Sequence, residues 1–109
     1  MALGSTLALL YLRGARKPLL GAIHGIMGAA GFVFLLVALE GPRRGDAMGV
    51  GSFGADAAVL FGIALVLGLC LWLLLLFKRT QRIAGVVIAA HASLAITAFV
   101  LFLAWTSIG

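Results

Sequence analysis

Charged residues are scarce in this chain of 109 residues, and acidic residues are nearly absent. Asp and Glu together number 3 and Lys and Arg 8, so that 10% of the residues are charged while 64% are hydrophobic. The mean hydropathy is +1.26. A soluble domain is typically about one-quarter charged, and this chain cannot hide its apolar surface from water. The composition excludes a water-soluble globular domain and predicts an all-α integral membrane protein with the lipid bilayer as its main partner.

The motifs of several chemistries are also missing. Cys70 is the single cysteine, so an intrachain disulfide, a cysteine metal site and a covalent c-type haem attachment are excluded. No Ser-His-Asp set and no HExxH motif is present, so we expect no enzyme that acts through its own side chains. The net charge of +5 does not indicate nucleic-acid binding, because the basic residues flank the apolar runs instead of forming an exposed stripe.

Three apolar segments reach the length of about 20 residues that a membrane-spanning helix needs. They run from about 18 to 39, 57 to 77 and 83 to 105, within one transmembrane domain of residues 1–109. Pro18 suits the first turn of the first helix, and we predict Asp56 as the N-cap of the second. The shorter apolar stretch within Met1–Leu12 is expected to be interfacial or to extend the first helix.

The basic residues predict the orientation. Six of them lie before the first span or between the second and third: Arg13, Arg16, Lys17, Lys78, Arg79 and Arg82. The other loop, residues 40–55, holds only two basic residues, and all three acids (Glu40, Asp46 and Asp56) lie in it or directly after it, on the same side. Basic residues favour the cytoplasmic side, so we expect a protein of the inner (plasma) membrane with its N-terminus cytoplasmic and its C-terminus outside. Trp72 and Trp105 are expected to be interface anchors, and Arg43, Arg44 and Asp46 to form a flexible, solvated loop.

The chain has two histidines, His24 and His91, and both lie inside spans in matching surroundings. The ten residues from His24 align without a gap with the ten from His91, with small residues four and seven positions on and then Phe-Val. The first and third spans run in the same direction, and each histidine follows its basic cluster by 7 to 9 residues, roughly 10–14 Å. This pattern predicts that the two spans are related as an internal repeat and that their histidines share one depth.

Paired histidines at one depth indicate b-type haem. Neutral imidazole is a good iron ligand, and haem removes the cost of burying two polar rings in hydrocarbon. We predict His24 and His91 as axial ligands, with Gly21, Gly28 and Ala95 leaving room for the porphyrin beside them. The arrangement resembles bis-histidine membrane cytochromes of the b type in architecture only. It implies an electron-transfer protein, or a haem-bearing anchor subunit, that is completed as a homo-oligomer or in a larger membrane complex.

The same residues support a second interpretation. Small residues let membrane helices approach closely, and a histidine forms hydrogen bonds to a neighbouring helix. His24 and His91 would then only tie the helices together, in a cofactor-free structural or assembly subunit of a larger membrane complex. Ion or proton transport is a weaker alternative, because no acidic residue lies at the membrane centre.

Overall fold

The computed structural model describes residues 1–14, 17–77 and 81–109, without the side chain of Gln81. This part of the chain forms four α-helices, namely α1 (Ala2–Leu12), α2 (Pro18–Leu39), α3 (Phe53–Leu76) and α4 (Gln81–Ile108). A 3-10 turn at Asp46–Met48 lies in the loop between α2 and α3. No β-strand occurs among the described residues. The expected all-α class is therefore confirmed.

The three long helices are long and apolar enough to cross a membrane. The molecule measures 48 × 20 × 19 Å along its principal axes. Its long dimension is close to the thickness of a bilayer with its headgroups, about 40–45 Å. Large apolar side chains cover its surface, for example Leu19, Ile26 and Phe34. These are the features of a membrane protein that faces lipid on its outside.

The start of α3 differs from the prediction. This helix begins at Phe53, with Ser52 as its N-cap residue, so Asp56 lies in the first turn and is not the cap. The hydroxyl of Ser52 donates a hydrogen bond of 3.2 Å to a carboxylate oxygen of Asp56. A carboxylate in the first helical turn is stabilised by the unpaired N–H groups there. The helix therefore extends one turn further than predicted, into the glycine-rich segment.

The N-terminal helix α1 is a separate element and does not extend α2. It ends at Leu12 and is followed by Gly14, whose φ of +76° is the left-handed conformation that favours glycine. It contacts α2, and Gly4 lies next to His24. Tyr11 near its other end approaches Gly85 of α4. Helix α1 thus folds back along α2, so of the two expectations the extension of the first helix is wrong, and the interfacial position stays a prediction.

Helix α3 lies between α2 and α4 and packs against both, most extensively against α4. The histidine of α2 meets that of α4, and further along both helices Leu35 meets Trp105 in one apolar cluster. These pairs are 11 residues apart in α2 and 14 in α4, roughly 16 and 21 Å of helix. The two helices therefore run parallel, as the predicted topology requires.

The apolar core lies at the end of the bundle that carries the α2–α3 loop. Its buried members are Leu35, Ala57, Ala58 and Trp105. Trp105 is only 5% exposed, and its ring packs against Gly54, where a methyl group would come within 2.7 Å. The prediction that Trp105 anchors the membrane interface is therefore wrong. The glycine of α3 admits the indole between the helices, and Trp105 becomes the centre of the core.

The α2–α3 loop is folded against the bundle over part of its length. Gly45 and Gly49 have φ values of +86° and +74° on either side of the 3-10 turn. Arg43 forms an exposed ion pair of 3.1 Å with Asp46, as a solvated loop would. Arg44 differs, because it donates a 3.1 Å hydrogen bond to the carbonyl of Thr106 and lies 5.4 Å from the ring centre of Trp105. Arg44 therefore ties the loop to α4.

Candidate functional site: a histidine pair between α2 and α4

The two histidines meet. The ring centres of His24 and His91 are 6.2 Å apart, and the ring planes are at 85° to each other. A metal–histidine bond is about 2.0 Å long, so two imidazoles on opposite sides of one metal atom have ring centres roughly 6 Å apart. The observed separation matches this distance, and it also lies within the range of roughly 4.5–7 Å for an ordinary edge-to-face ring contact. The pair comes from helices that are not neighbours along the chain, as the matching depths predicted.

His91 is held in one orientation by the backbone of α3. Its Nδ1 lies 2.7 Å from the carbonyl oxygen of Ala64. Because a carbonyl oxygen only accepts, Nδ1 carries the proton, and Nε2 of the neutral ring keeps its lone pair. A histidine that binds a metal commonly donates its other ring N–H to a backbone carbonyl in this way. The structure thus presents His91 in the tautomer that ligation through Nε2 requires.

The ring of His24 is held by fewer interactions than that of His91. It is half-buried, and its ring forms no hydrogen bond within residues 1–14, 17–77 and 81–109. The contact with His91 and the backbone of α1 surround it instead. A polar ring without a strong partner in an apolar segment is costly. Binding of a ligand would therefore stabilise His24 more than it would stabilise His91.

Two glycines bring backbone against the imidazole rings. A methyl group at Gly68 of α3 would lie 3.0 Å from Cε1 of His91, and one at Gly4 of α1 would lie 3.1 Å from Cε1 of His24. Both distances are shorter than an ordinary van der Waals contact. Any side chain at Gly4 or Gly68 would press on a ring. The pair is thus enclosed from two sides by glycine backbone.

The small residues that the sequence assigned to a porphyrin pocket occupy different surroundings. At Gly21 a methyl group would lie 3.0 Å from the indole of Trp72, and at Gly28 it would lie 3.5 Å from Leu65. Ala95, one turn beyond His91, is half-buried. The indole N–H of Trp72 donates a 3.0 Å hydrogen bond to the carbonyl of Pro18. The space beside Gly21 is therefore occupied by Trp72. The two imidazoles match the ligands that haem needs, but no open space for a porphyrin lies beside Gly21.

A metal ion without a macrocycle fits these residues poorly. The described residues contain no group of three or more His, Cys, Asp or Glu side chains that would hold a metal ion. Structural zinc takes four protein ligands and catalytic zinc three, whereas haem needs only axial ligands from the protein. With two imidazoles as the whole donor set, haem is the metal group that the chemistry of the pair matches.

No family model, curated protein or solved structure matches this chain.

Three residues of this site were not predicted from the sequence. Gly4 and Gly68 are the glycines that touch the rings, and Trp72 closes the wall beside Gly21. Gly68 gives a weak signal in the sequence, because it is the one glycine in the C-terminal half of α3. Gly4 gives none, because its position depends on α1 folding back along α2.

Proposed function

We propose that this chain is a small membrane protein, or an anchor subunit, in which His24 and His91 are the axial ligands of b-type haem and through which electrons pass within or to a respiratory chain. The observation that carries the proposal is the 6.2 Å separation of the two rings, which are supplied by the first and third long helices. Haem supplies the one-electron chemistry, and the protein supplies orientation and surroundings.

The two ligands have different tasks. The hydrogen bond from Nδ1 of His91 to Ala64 fixes the orientation of the ring and leaves Nε2 as the nitrogen that would bind the metal. His24 has no such bond within the described residues, so it would be the ligand whose ring is oriented by the haem and not by the protein backbone. The small residues Gly21, Gly28 and Ala95 form the helix surfaces next to the ligands.

Haem uptake requires a rearrangement on this proposal. The macrocycle needs space beside the axial ligands, and that space is filled by Trp72 at Gly21 and by the backbone of α1 at Gly4. Helix α1 has no buried residue and is the element held by the fewest interactions. We expect α1 or the Trp72 indole to move aside when haem binds, while α3 and α4 keep their packing.

The proposal includes three features of the whole protein. Helices α2 and α4 are the two copies of an internal repeat, and each contributes one ligand. The N-terminus is cytoplasmic and the C-terminus lies outside, in the inner (plasma) membrane, as the six flanking basic residues favour. Three spans form a thin shell around haem, so a homo-oligomer or a larger membrane complex completes the bundle.

The closed packing favours a second candidate function. If the contacts at Gly4, Gly68 and Trp72 persist, the imidazoles only join α2, α3 and α4 through packing and the bond to Ala64. The chain would then be a cofactor-free structural or assembly subunit of a larger membrane complex.

The visible spectrum distinguishes the haem protein from the cofactor-free subunit. The protein is purified in detergent from haem-replete cells, and spectra are recorded before and after reduction with dithionite. We expect a sharp reduced α-band that is lost in both His24→Ala and His91→Ala. The matched control is Thr97→Val, since Thr97 bonds only the backbone of its own helix, and this variant should keep the band.

A colourless protein from haem-replete cells contradicts the haem proposal and leaves the structural subunit. In that case His91→Ala should still lower the free energy of unfolding by about 1 kcal/mol, because the hydrogen bond to Ala64 is lost.

A further inference from the structure

A cleft of about 510 Å³ lies at the loop end of the molecule, away from the histidines. Its walls come from α2 and α4, and they are mainly apolar: Phe34, Leu35, Ala38, Phe102 and Trp105. Arg44 and Thr106 border it on the loop side. The cleft thus combines an apolar interior within the membrane-spanning region with one cationic side chain at its border.

The cleft is open because α2 presents small residues to it. A methyl group at Gly31 would have no heavy atom within 4 Å, and Ala38 two turns later adds only a methyl group. Helix α3 packs against both α2 and α4. The apolar lining and the volume of the cleft match a hydrocarbon chain.

Arg44 gives the cleft its chemical preference. One N–H of its guanidinium bonds the carbonyl of Thr106, and the group lies over the ring of Trp105. No carboxylate pairs with Arg44 in the described parts of the chain, whereas Arg43 pairs with Asp46. Arginine has five N–H donors in a planar arrangement that suits phosphate. Arg44 therefore keeps donors and a full positive charge for an oxyanion at the border of the cleft.

We propose that this cleft is a lipid-binding site, in which one acyl chain of an anionic phospholipid lies between α2 and α4 and its phosphate binds Arg44. A second groove of similar size lacks a charged side chain and serves as a comparison. It lies between α2 and α3, has a volume of about 500 Å³, and is lined only by apolar residues such as Phe32, Gly62 and Ile63. This groove has no group that distinguishes one headgroup from another. Selectivity for an anionic lipid belongs to the cleft that Arg44 borders.

Trp105 lines the cleft and reports on its occupant. In the Trp72→Phe protein it is the only tryptophan. This protein is placed in phosphatidylcholine vesicles that contain a minor share of phosphatidylglycerol brominated on its acyl chains, or the same share of brominated phosphatidylcholine. Bromine quenches indole fluorescence on contact. We expect about a fivefold preference for phosphatidylglycerol, the preference that one basic residue near a membrane surface gives.

Variants of the two neighbouring arginines make the test specific. Arg44→Gln should abolish the preference, and Arg44→Lys should keep part of it because the charge remains. Arg43→Gln is the matched control and should keep all of it, since Arg43 is paired with Asp46. Equal quenching by both lipids overturns the proposal, as does a preference that survives in Arg44→Gln.

A second measurement avoids the Trp72 substitution. Native mass spectrometry of the unaltered protein, purified from mixed phosphatidylcholine and phosphatidylglycerol, should show one retained phosphatidylglycerol in the wild type and in Arg43→Gln. Arg44→Gln should retain none. Retention that is the same in all three proteins contradicts the site. These outcomes do not depend on haem, because the histidine pair lies at the other end of the bundle.

Discussion

The two ends of the bundle are packed by different kinds of residues. At the loop end, Leu35, Ala57, Ala58 and Trp105 are buried against one another, with aromatic side chains around them. At the histidine end, glycine backbone meets two half-buried imidazoles. Dense apolar packing of the first kind stabilises a fold. We expect a polar pair enclosed by glycines to contribute less to stability, so the larger share of the packing stability is assigned to the loop end.

This difference also concerns movement. The loop-end core joins α2, α3 and α4 at once, and Arg44 ties the loop to the end of α4. At the other end α1 has no buried residue, and α2 is held to α3 there by the hydrogen bond of Trp72 to Pro18. We expect the histidine end to open while the loop end stays closed.

The largest expected effect is at the centre of the loop-end core. Trp105→Ala should lower the free energy of unfolding by about 3 to 5 kcal/mol, the cost of removing a buried aromatic side chain. Unfolding in mixed micelles with increasing SDS measures it. Trp72→Ala is the comparison at the histidine end and should cost less, since Trp72 is only half-buried. An equal or larger loss in Trp72→Ala would reverse the assignment of stability to the loop end.

A smaller effect is expected from an added methyl group in the same core. Gly54→Ala places Cβ within 2.7 Å of the Trp105 ring and 2.9 Å of Leu39. Overpacking of this kind costs about 1 to 3 kcal/mol, measured by the same unfolding experiment. The matched control is Gly31→Ala, where nothing lies within 4 Å and the higher helix propensity of Ala applies. Similar stability in the two variants would show that the loop end is loosely packed.

At the histidine end an added methyl group should lower the free energy of unfolding by less than in the core, and it should displace the ring of His91. Gly68→Ala places Cβ 3.0 Å from Cε1 of His91, so the imidazole must shift away from Ala64. We expect about 1 kcal/mol from the weakened hydrogen bond and a changed ¹⁵N signal of the His91 ring in detergent. Gly62→Ala on the same helix makes only an ordinary 3.5 Å contact with Phe32 and should leave that signal unchanged. An unchanged His91 signal in Gly68→Ala would contradict the close contact.

The smallest effect is expected for the exposed ion pair of the loop. The side chains of Arg43 and Asp46 are 84% and 56% exposed, and such pairs contribute about 0 to 1 kcal/mol. Arg43→Gln should therefore change the free energy of unfolding by less than about 0.5 kcal/mol, and the change should shrink in high salt. Arg44→Gln should cost more, because it loses the bond to Thr106 and the contact with Trp105. Equal losses would mean that Arg44 is as solvated as Arg43.

The sequence predicted the meeting of His24 and His91 for a physical reason. Hydrophobic length and flanking charge determine where a membrane helix crosses and in which direction, so the depth of a residue follows from its distance to the basic cluster. Two histidines at similar distances on parallel helices must lie at one level. Their approach to within 6.2 Å needed one further condition, that both face the same side of α3.

The features that the sequence did not predict depend on packing between helices. Trp105 lies near a helix end, where tryptophan commonly anchors the interface, but Gly54 of α3 gives it a place inside the bundle. Gly4 contacts His24 only because α1 folds back along α2. Neither partner follows from hydropathy or charge, because both signals describe each helix by itself and not the face that it turns to its neighbours.

The position of α3 between α2 and α4 has a consequence for biogenesis. Spans emerge from the ribosome in order, and α3 makes its most extensive packing with α4. The imidazole of His24 has no partner imidazole until the last long helix has been inserted and docked. Formation of the histidine pair therefore requires the last long helix, and a chain stalled before α4 would leave a lone polar ring in an apolar segment.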